Sequence, residues 1–262
     1  MPLTDSQVEA LAQRLVRAES TKSPVAPLTD EFPDMTQEDA YAVQRLWVQA
    51  KVSGGAKFIG WKVGLTSEAM QKMFGVTTPD FGKLLDYMRL DEGGLLSLNP
   101  LIQARIEPEI AFVLNADIQG PGIDAEDVLA ATEAVMPALE IIDSRIADWK
   151  IKLADTISDN ASCGRIVLSR SRTPPRGIDL SQVQMQFTKD SVLISSATGA
   201  AVLGNPANAV AWLANTLAPL GEGLKAGQVI MPGSLVGAVP AETGSGYVAE
   251  FEGLGSVGVK VW

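Results

Sequence analysis

The order of secondary-structure patterns along this 262-residue chain is the feature that most limits its fold. Thr4 and Gln7 form the pattern of a capping box, which predicts a helix through about Glu19, and Thr36 begins a second helical pattern that runs to about Val52. Strand patterns then dominate, with only occasional helices between them. Because helices and strands occupy separate parts of the chain and do not alternate regularly, the order predicts an α+β fold.

The remaining elements follow from local periodicity and turn residues. A short helix is predicted at 67–74, where Gly75 can take the left-handed cap conformation, and residues 75–100 are expected to be rich in turns. Further helices are predicted at 125–135 and 206–217, the latter with Asn205 as its cap. Strands are predicted at 57–64, 107–114, 137–143, 165–168, 184–187, 228–231, 247–251 and 257–261.

The chain contains no histidine and a single cysteine, Cys163. The lack of imidazole excludes histidine-containing catalytic triads and histidine-ligated metal sites. Acid, base and metal chemistry therefore falls to carboxylates, lysines, hydroxyls or water. Cys163 has no imidazole to activate it and is expected to be a buried structural thiol, and a lone cysteine suits a reducing compartment.

Composition and charge narrow the class of protein further. Hydrophobic residues make up 46% of the chain and charged residues 20%, which is typical of a globular protein with a sizeable core. The formal net charge of −10 speaks against nucleic acid or an anionic membrane as the main partner, because phosphate binding needs clustered cations. No apolar run approaches the roughly 18 residues that a membrane span requires. We therefore expect a cytoplasmic protein that binds neither nucleic acid nor membrane.

Three glutamates are the first candidate site. Glu107 and Glu109 lie two residues apart at the start of an apolar strand, so their side chains share one face, and Glu140 interrupts another apolar run. Without histidine, three carboxylates and water favour a hard divalent ion, Mg²⁺ or Mn²⁺. The same spacing is also compatible with solvated edge residues, or with structural ion pairs to Arg105 and Arg145.

Lys62 is the second candidate, because it stands inside an apolar strand. Desolvation would lower the pKa of its ammonium group and a neighbouring acid would keep it charged, and either state can handle a proton or an oxyanion. A lysine that snorkels along an edge strand is the competing interpretation. If a helix begins near Thr66, the amides of residues 66–69, including that of Ser67, would form a site for a carboxylate. Asp80 falls in the turn pattern of residues 79–82, where an aspartate usually caps backbone amides.

Four sequence blocks together resemble one enzyme family. The combination resembles the 2-keto-4-pentenoate hydratases of aromatic meta-cleavage pathways, within the fumarylacetoacetate hydrolase superfamily, and it runs in register from about residue 5 to the C-terminus. The blocks are GWKVGLTSEAMQKMFGVTTPDFGKLL (60–85), RIEPEIAFVL (105–114), PALEIIDSRIADWKIKLADTISDNASCG (137–164) and LKAGQVIMPGSL (224–235).

This resemblance implies a mixed β-roll core at residues 56–262, with residues 1–55 as a helical N-terminal portion of the same structural unit. It implies a divalent ion, Mg²⁺ or Mn²⁺, held by three acids. It also implies a homo-oligomer that acts on a small-molecule substrate and can associate with a decarboxylase of the same pathway. The implied site consists of the ligands Glu107, Glu109 and Glu140 and the catalytic pair Lys62 and Asp80, with Asp143 and Ser162 in blocks near the pocket. Together with Thr66 and Ser67 of the predicted carboxylate site, Asp143 and Ser162 are the expected substrate-binding positions.

The activity implied by the resemblance is addition of water to a 2-hydroxy-2,4-dienoate, which yields a 4-hydroxy-2-oxo acid. Two related activities stay open: 4-oxalocrotonate decarboxylation and hydration of a longer 2-oxo-dienoate or dioate. A catalytically silent scaffold is a fourth possibility. It predicts loss of Lys62 or of the three glutamates, and all four residues are present.

Overall fold

The computed structural model describes residues 2–67, 71–72 and 75–262, and its N-terminal portion is helical as the sequence predicts. Helix α1 spans Asp5–Thr21, α2 spans Leu28–Glu31 and α3 spans Gln37–Ser53. The capping boxes of Thr4 with Gln7 and of Thr36 with Asp39 are both formed, which confirms the predicted starts of α1 and α3. The helix predicted at 67–74 falls largely outside the described residues.

The rest of the described chain consists mainly of strands. Three further helices occur in this part: α4 (Ala125–Ala130), α5 (Leu153–Ser158) and α6 (Pro206–Leu217). The strands are β1 (Phe58–Gly64), β2 (Asp80–Leu85), β3 (Arg89–Leu90), β4 (Leu95–Leu96), β5 (Arg105–Leu114), β6 (Thr132–Ile142), β7 (Cys163–Leu168), β8 (Gln184–Lys189), β9 (Val192–Thr198), β10 (Val229–Met231), β11 (Val239–Pro240), β12 (Gly246–Phe251) and β13 (Gly255–Val261).

These strands form two sheets of mixed direction. The larger sheet has the order β2-β1-β10-β5-β6-β7-β3, with β11 added at one end of β5. The smaller sheet has the order β4-β13-β12-β8-β9. Within the larger sheet β5 and β6 are long antiparallel neighbours, while β1 runs parallel to β10. Helices and mixed sheets in separate parts of the chain confirm the predicted α+β class.

The two faces of the larger sheet pack against different layers. Alternate residues of β5, such as Ile110 and Phe112, point into the main core, which they share with residues of the smaller sheet. Ala111 and Val113 point the other way and pack in a second core with side chains of α1 and α3, among them Trp47. Glu107 and Glu109 alternate in phase with Ala111, so their face is the one that the N-terminal helices cover.

Two predicted elements differ from the structure. The helix predicted at 125–135 ends at Ala130, and the following residues belong to β6, which pairs with β5 along almost its whole length. Long-range strand pairing therefore overrides the local helical pattern. The turn predicted at residues 79–82 is the start of strand β2, because Asp80 and the residues after it pair with β1.

Within residues 2–67, 71–72 and 75–262, no helix combines the length and the apolar character that a bilayer crossing demands.

Candidate active site

The three glutamates singled out from the sequence converge on one point of the larger sheet. Glu107 of β5 lies directly opposite Glu140 of β6, and Glu109 follows two residues later on the same face. One carboxylate oxygen from each residue lies within 4.8 Å of the others. Glu109 and Glu140 are fully buried, whereas Glu107 is partly exposed, so the cluster opens toward solvent on the Glu107 side.

The cluster lacks the internal partners that buried carboxylates need. Oε1 of Glu109 and both carboxylate oxygens of Glu140 accept no hydrogen bond in the described structure, and Oε2 of Glu109 accepts one from the Gly233 amide at 2.9 Å. Burial and the neighbouring carboxylates raise the pKa of Glu107 to about 7 and raise the pKa of Glu109 well above its usual range. Unpartnered buried oxygens on Glu109 and Glu140, with the Glu107 carboxylate beside them, fit a divalent cation with oxygen ligands, such as Mg²⁺ or Mn²⁺.

Lys62 joins the cluster from strand β1, which β10 separates from β5 in the larger sheet. Its side chain is buried, with Nζ 3.4 Å from Oε2 of Glu140, and it donates a hydrogen bond of 2.9 Å to the carbonyl oxygen of Ala161. Burial by itself would lower the pKa of Lys62, but the carboxylates of Glu140 and Asp80 outweigh it and raise that pKa. Lys62 is therefore a buried cation inside the site, and the snorkelling interpretation is wrong.

Asp80 reaches the same site from β2, where it lies opposite Gly64. Its Oδ2 is 3.5 Å from the Thr156 hydroxyl, and its buried Oδ1 accepts no hydrogen bond in the described structure. A Cβ on Gly64 would lie 2.2 Å from this Oδ1 and 3.3 Å from Nζ of Lys62, so only glycine leaves room for both groups. Burial raises the pKa of Asp80, which suits a carboxyl group that exchanges a proton.

A strained turn between α5 and β7 forms another wall of the site. Three successive residues of the turn have positive φ angles: 54° at Asn160, 50° at Ala161 and 54° at Ser162. These angles lie in the left-handed region that residues other than glycine rarely occupy. This conformation directs the Ala161 carbonyl at Lys62. The hydroxyl of Ser162 is buried and has no hydrogen-bond partner within the described structure, so it is available to a ligand.

Hydrogen bonds from buried polar side chains hold this turn in place. The Asn160 side chain bonds both the amide and the carbonyl of Lys83, at 2.8 and 2.9 Å. Arg145 donates to Oδ1 and to the carbonyl of Asp159, and also to the carbonyls of Asp143 and Cys163. Burial raises the pKa of Asp159 to about 6 although Arg145 opposes the rise. Arg145 therefore pairs with Asp159 and braces the turn, and it forms no ion pair with the three glutamates.

The other predicted positions lie near this site in different ways. Asp143 follows β6 and accepts hydrogen bonds from the amides of Ile102 and Gln103, so its carboxylate supports the loop before β5. Thr66 is buried beside Gly233, where an added Cβ would lie 2.1 Å from its hydroxyl oxygen. Ser67 is half-buried, and the amides of residues 68–69 in the predicted anion site lie outside the described residues.

Several groups in the site are not evident from the sequence. Tyr41 of α3 stacks on Phe81, with ring centroids 4.3 Å apart, and burial, followed by the charge of Asp80, raises the pKa of the Tyr41 hydroxyl. Thr156 belongs to α5, a helix that the sequence patterns did not predict.

Cys163 is buried, as predicted, and burial followed by the charge of Glu140 raises the pKa of its thiol well above the usual range.

Comparison with known proteins agrees with this fold. The family "Fumarylacetoacetate (FAA) hydrolase C-terminal" matches residues 97–262. The chain therefore belongs to the fumarylacetoacetate hydrolase family, and the β-roll core implied by the sequence blocks is confirmed.

Two hydratases and a decarboxylase are among the similar proteins. The chain is 47% identical to a 2-hydroxyhexa-2,4-dienoate hydratase of Comamonas testosteroni, over 98% of this chain and 99% of the relative. It is 44% identical to a 2-keto-4-pentenoate hydratase of Paraburkholderia xenovorans, over 97% and 95% of the two chains. A structure of the 4-oxalocrotonate decarboxylase of Pseudomonas putida G7, complexed with magnesium and adipate, superposes with a TM-score of 0.96 at 38% identity, covering 99% of each chain.

Proposed function

We propose that this protein is a metal-dependent hydro-lyase that adds water to a 2-hydroxy-2,4-dienoate in the catabolism of aromatic compounds by meta-cleavage. The observation that carries the proposal is the buried cluster of Glu107, Glu109 and Glu140, with the Lys62 ammonium group 3.4 Å from one of its oxygens. Full-length similarity to dienoate and pentenoate hydratases supports the same reaction class.

The three glutamates would hold Mg²⁺ or Mn²⁺, which the unpartnered buried oxygens of Glu109 and Glu140 support. When bound, the ion would act as a Lewis acid toward the carboxylate and the C2 oxygen of the substrate. The magnesium in the related decarboxylase structure supports this assignment.

The reaction has two balanced stages. The enol oxygen loses its proton and C5 gains one, which converts the dienol into a conjugated 2-oxo-3-enoate. Water then adds across the C3–C4 double bond, with hydroxide joining C4 and a proton joining C3, to give the 4-hydroxy-2-oxo acid. Both stages need a cation beside the C2 oxygen, where negative charge develops, and a group that moves protons near C4 and C5.

The chain supplies both groups. Lys62 is buried and remains charged, so it can stabilise the developing enolate. Asp80 has one buried oxygen without a partner, and it can transfer a proton or orient the attacking water. The free hydroxyl of Ser162 is proposed to bind the substrate, together with Thr66 and Ser67. Asp143 would act by holding the loop that leads into β5.

The biological setting is part of the proposal. We propose that residues 1–55 act as a covering portion of one structural unit with residues 56–262, since α1 and α3 share a core with the sheet. Exposed apolar side chains on β9 and at the C-terminus, including Leu193 and Trp262, support a homo-oligomer. Association with a pathway decarboxylase and a cytoplasmic location, which a free buried Cys163 would suit, complete the proposal.

A substrate panel tests the reaction. Magnesium-loaded protein is given 2-hydroxypenta-2,4-dienoate, a longer homologue, a dioate or 4-oxalocrotonate, while NMR follows the products and CO₂ release is recorded in parallel. The proposal expects a 4-hydroxy-2-oxo acid, formed only with the divalent ion present.

Decarboxylation is the second candidate, because the structural similarity to a 4-oxalocrotonate decarboxylase extends over the whole chain. Its signature in the same panel is CO₂ as the dominant product from 4-oxalocrotonate. That result would replace hydration as the assigned reaction.

A further inference from the structure

A cavity of about 350 Å³ lies beside the start of β5, the strand that carries Glu107 and Glu109. This volume is several times the roughly 30 Å³ that a water molecule occupies in the liquid, so it can hold a small polar group with its solvent. The cavity is lined by Arg105 and Trp149 together with Leu101, Ile102, Gln103 and Pro240.

Arg105 connects this cavity to the candidate active site. It stands two residues before Glu107 on the same strand, so the two side chains emerge on one face about 7 Å apart. The positive charge of Arg105 acts on Glu107, opposing the rise in its pKa that burial and Glu140 cause. Glu107 is also the glutamate on the exposed side of the cluster, where a ligand can enter.

The guanidinium group of Arg105 is fixed in place but not neutralised. It lies over the ring of Trp149, 4.8 Å from the ring centroid, and the indole N–H of Trp149 donates to the carbonyl of Gln103 at 3.1 Å. Within the described part of the chain, Arg105 forms no ion pair with a carboxylate. An oriented guanidinium fork without an acid partner is suited to bind a carboxylate through two parallel hydrogen bonds.

The negative charge of the protein makes an unpaired guanidinium group useful for binding an anionic substrate. The protein carries a net charge of −10, and three carboxylates line the site that an anionic substrate must reach. Lys62 is buried and already contacts Glu140 and Ala161, so it is poorly placed to receive a carboxylate from solvent.

We propose that Arg105, held on Trp149, is a carboxylate-binding subsite of the active site. The inference rests on the proposed function, since the ligand is a carboxylate of a 2-oxo acid. Two carboxylates fit this chemistry: the C1 carboxylate that all such substrates carry, and the distal carboxylate of a dioate.

Calorimetry with unreactive saturated acids distinguishes the C1 carboxylate from the distal carboxylate as the group that Arg105 binds. Magnesium-loaded protein is titrated with 2-oxoheptanoate and with 2-oxoheptanedioate, which differ only in the distal carboxylate. Arg105→Gln is expected to weaken binding about tenfold or more, because a charge-assisted bidentate contact is lost. Weaker binding of both acids assigns the subsite to C1, and weaker binding of the dioate alone assigns it to the distal carboxylate.

Two further variants keep this test interpretable. Arg105→Lys retains the charge without the planar fork and is expected to bind with intermediate affinity. Arg172→Gln removes the same charge from an exposed pair with Glu133 and should bind both acids as wild type does. If Arg105→Gln matched wild type for both acids, the inference would be overturned with the proposed function intact. Wild-type protein that bound neither acid would contradict the proposed function and this inference together.

Discussion

The ammonium nitrogen of Lys62 lies 3.4 Å from Oε2 of Glu140, and both side chains are buried. The buried Lys62 ammonium group therefore places positive charge next to the three glutamates, where a metal ion and the enolate of the substrate would bind. This pair joins β1 to β6, two strands that are not neighbours in the larger sheet. The pairing therefore depends on the fold as a whole.

Lys62→Met should abolish the stabilisation of the developing enolate. We expect kcat to fall by at least about 100-fold, which is typical of the loss of one catalytic cation or proton-transfer group. Steady-state loss of dienoate absorbance measures the change. Lys83→Met is the matched control, because Lys83 lies on β2 over the ring of Trp61, and this variant should change kcat less than about threefold. Full turnover by Lys62→Met would refute the role of Lys62.

Gly64→Ala should reduce catalysis through geometry alone. The new Cβ would lie 2.2 Å from Oδ1 of Asp80, so the carboxylate must move, and a displacement of this size can lower kcat/KM about 100-fold. Gly237→Ala adds the same methyl group where no atom lies within 4 Å and should behave as wild type. If Gly64→Ala kept wild-type kcat/KM, the placement of Asp80 would not matter for the reaction.

Arg145→Met should destabilise the fold, because it leaves the buried carboxylate of Asp159 and several carbonyls without a donor. We expect a loss of about 3 to 5 kcal/mol in the free energy of unfolding. Urea denaturation followed by circular dichroism measures it. Arg172→Met breaks an exposed pair and should stay within about 1 kcal/mol of wild type. Equal midpoints for the two variants would contradict the bracing role of Arg145.

The metal-free protein should respond to pH through Glu107. Its folded pKa of about 7 lies above its ordinary value of 4.5, so the folded state holds the proton more tightly than the unfolded state. The contribution of Glu107 to stability is therefore present at low pH and is lost as pH rises from about 4.5 through about 7.

Thermal unfolding of chelator-treated protein between pH 5 and pH 8 measures this effect. The Tm of wild type should fall relative to that of Glu107→Gln as pH rises, and added Mg²⁺ should raise the wild-type Tm more at pH 8 than at pH 5. A difference between the two proteins that does not change with pH would contradict the assigned shift.

Local sequence patterns predict much of this molecule. The capping boxes of α1 and α3, the α+β class and the strand that carries Glu107 and Glu109 all follow from spacing and side-chain chemistry. The shared face of these two glutamates follows from the alternation of side chains in a strand. The position of Lys62 in an apolar strand makes it a candidate, but the catalytic roles of Lys62 and Asp80 rest on the resemblance to a family.

The remaining features depend on contacts between distant parts of the chain. Strand β2 has the local pattern of a turn, and it is extended because β1 pairs with it. The left-handed turn at residues 160–162 contains no glycine, so local propensity argues against it, and Arg145 and Lys83 hold it from other elements. The role of Thr156 beside Asp80 arises in the same way, since 76 residues separate the two.

The central claim is that Glu107, Glu109 and Glu140 form a divalent-metal site. Calorimetric titration of chelator-treated protein with Mn²⁺ tests it most directly, comparing wild type with Glu109→Gln and with Glu133→Gln, an exposed glutamate on β6. We predict that wild type and Glu133→Gln each bind one ion per chain. Glu109→Gln should bind Mn²⁺ at least about 100-fold more weakly, because loss of a metal ligand lowers affinity at least as much as loss of the contacts that support a ligand. Equal Mn²⁺ affinity in all three proteins would contradict the account.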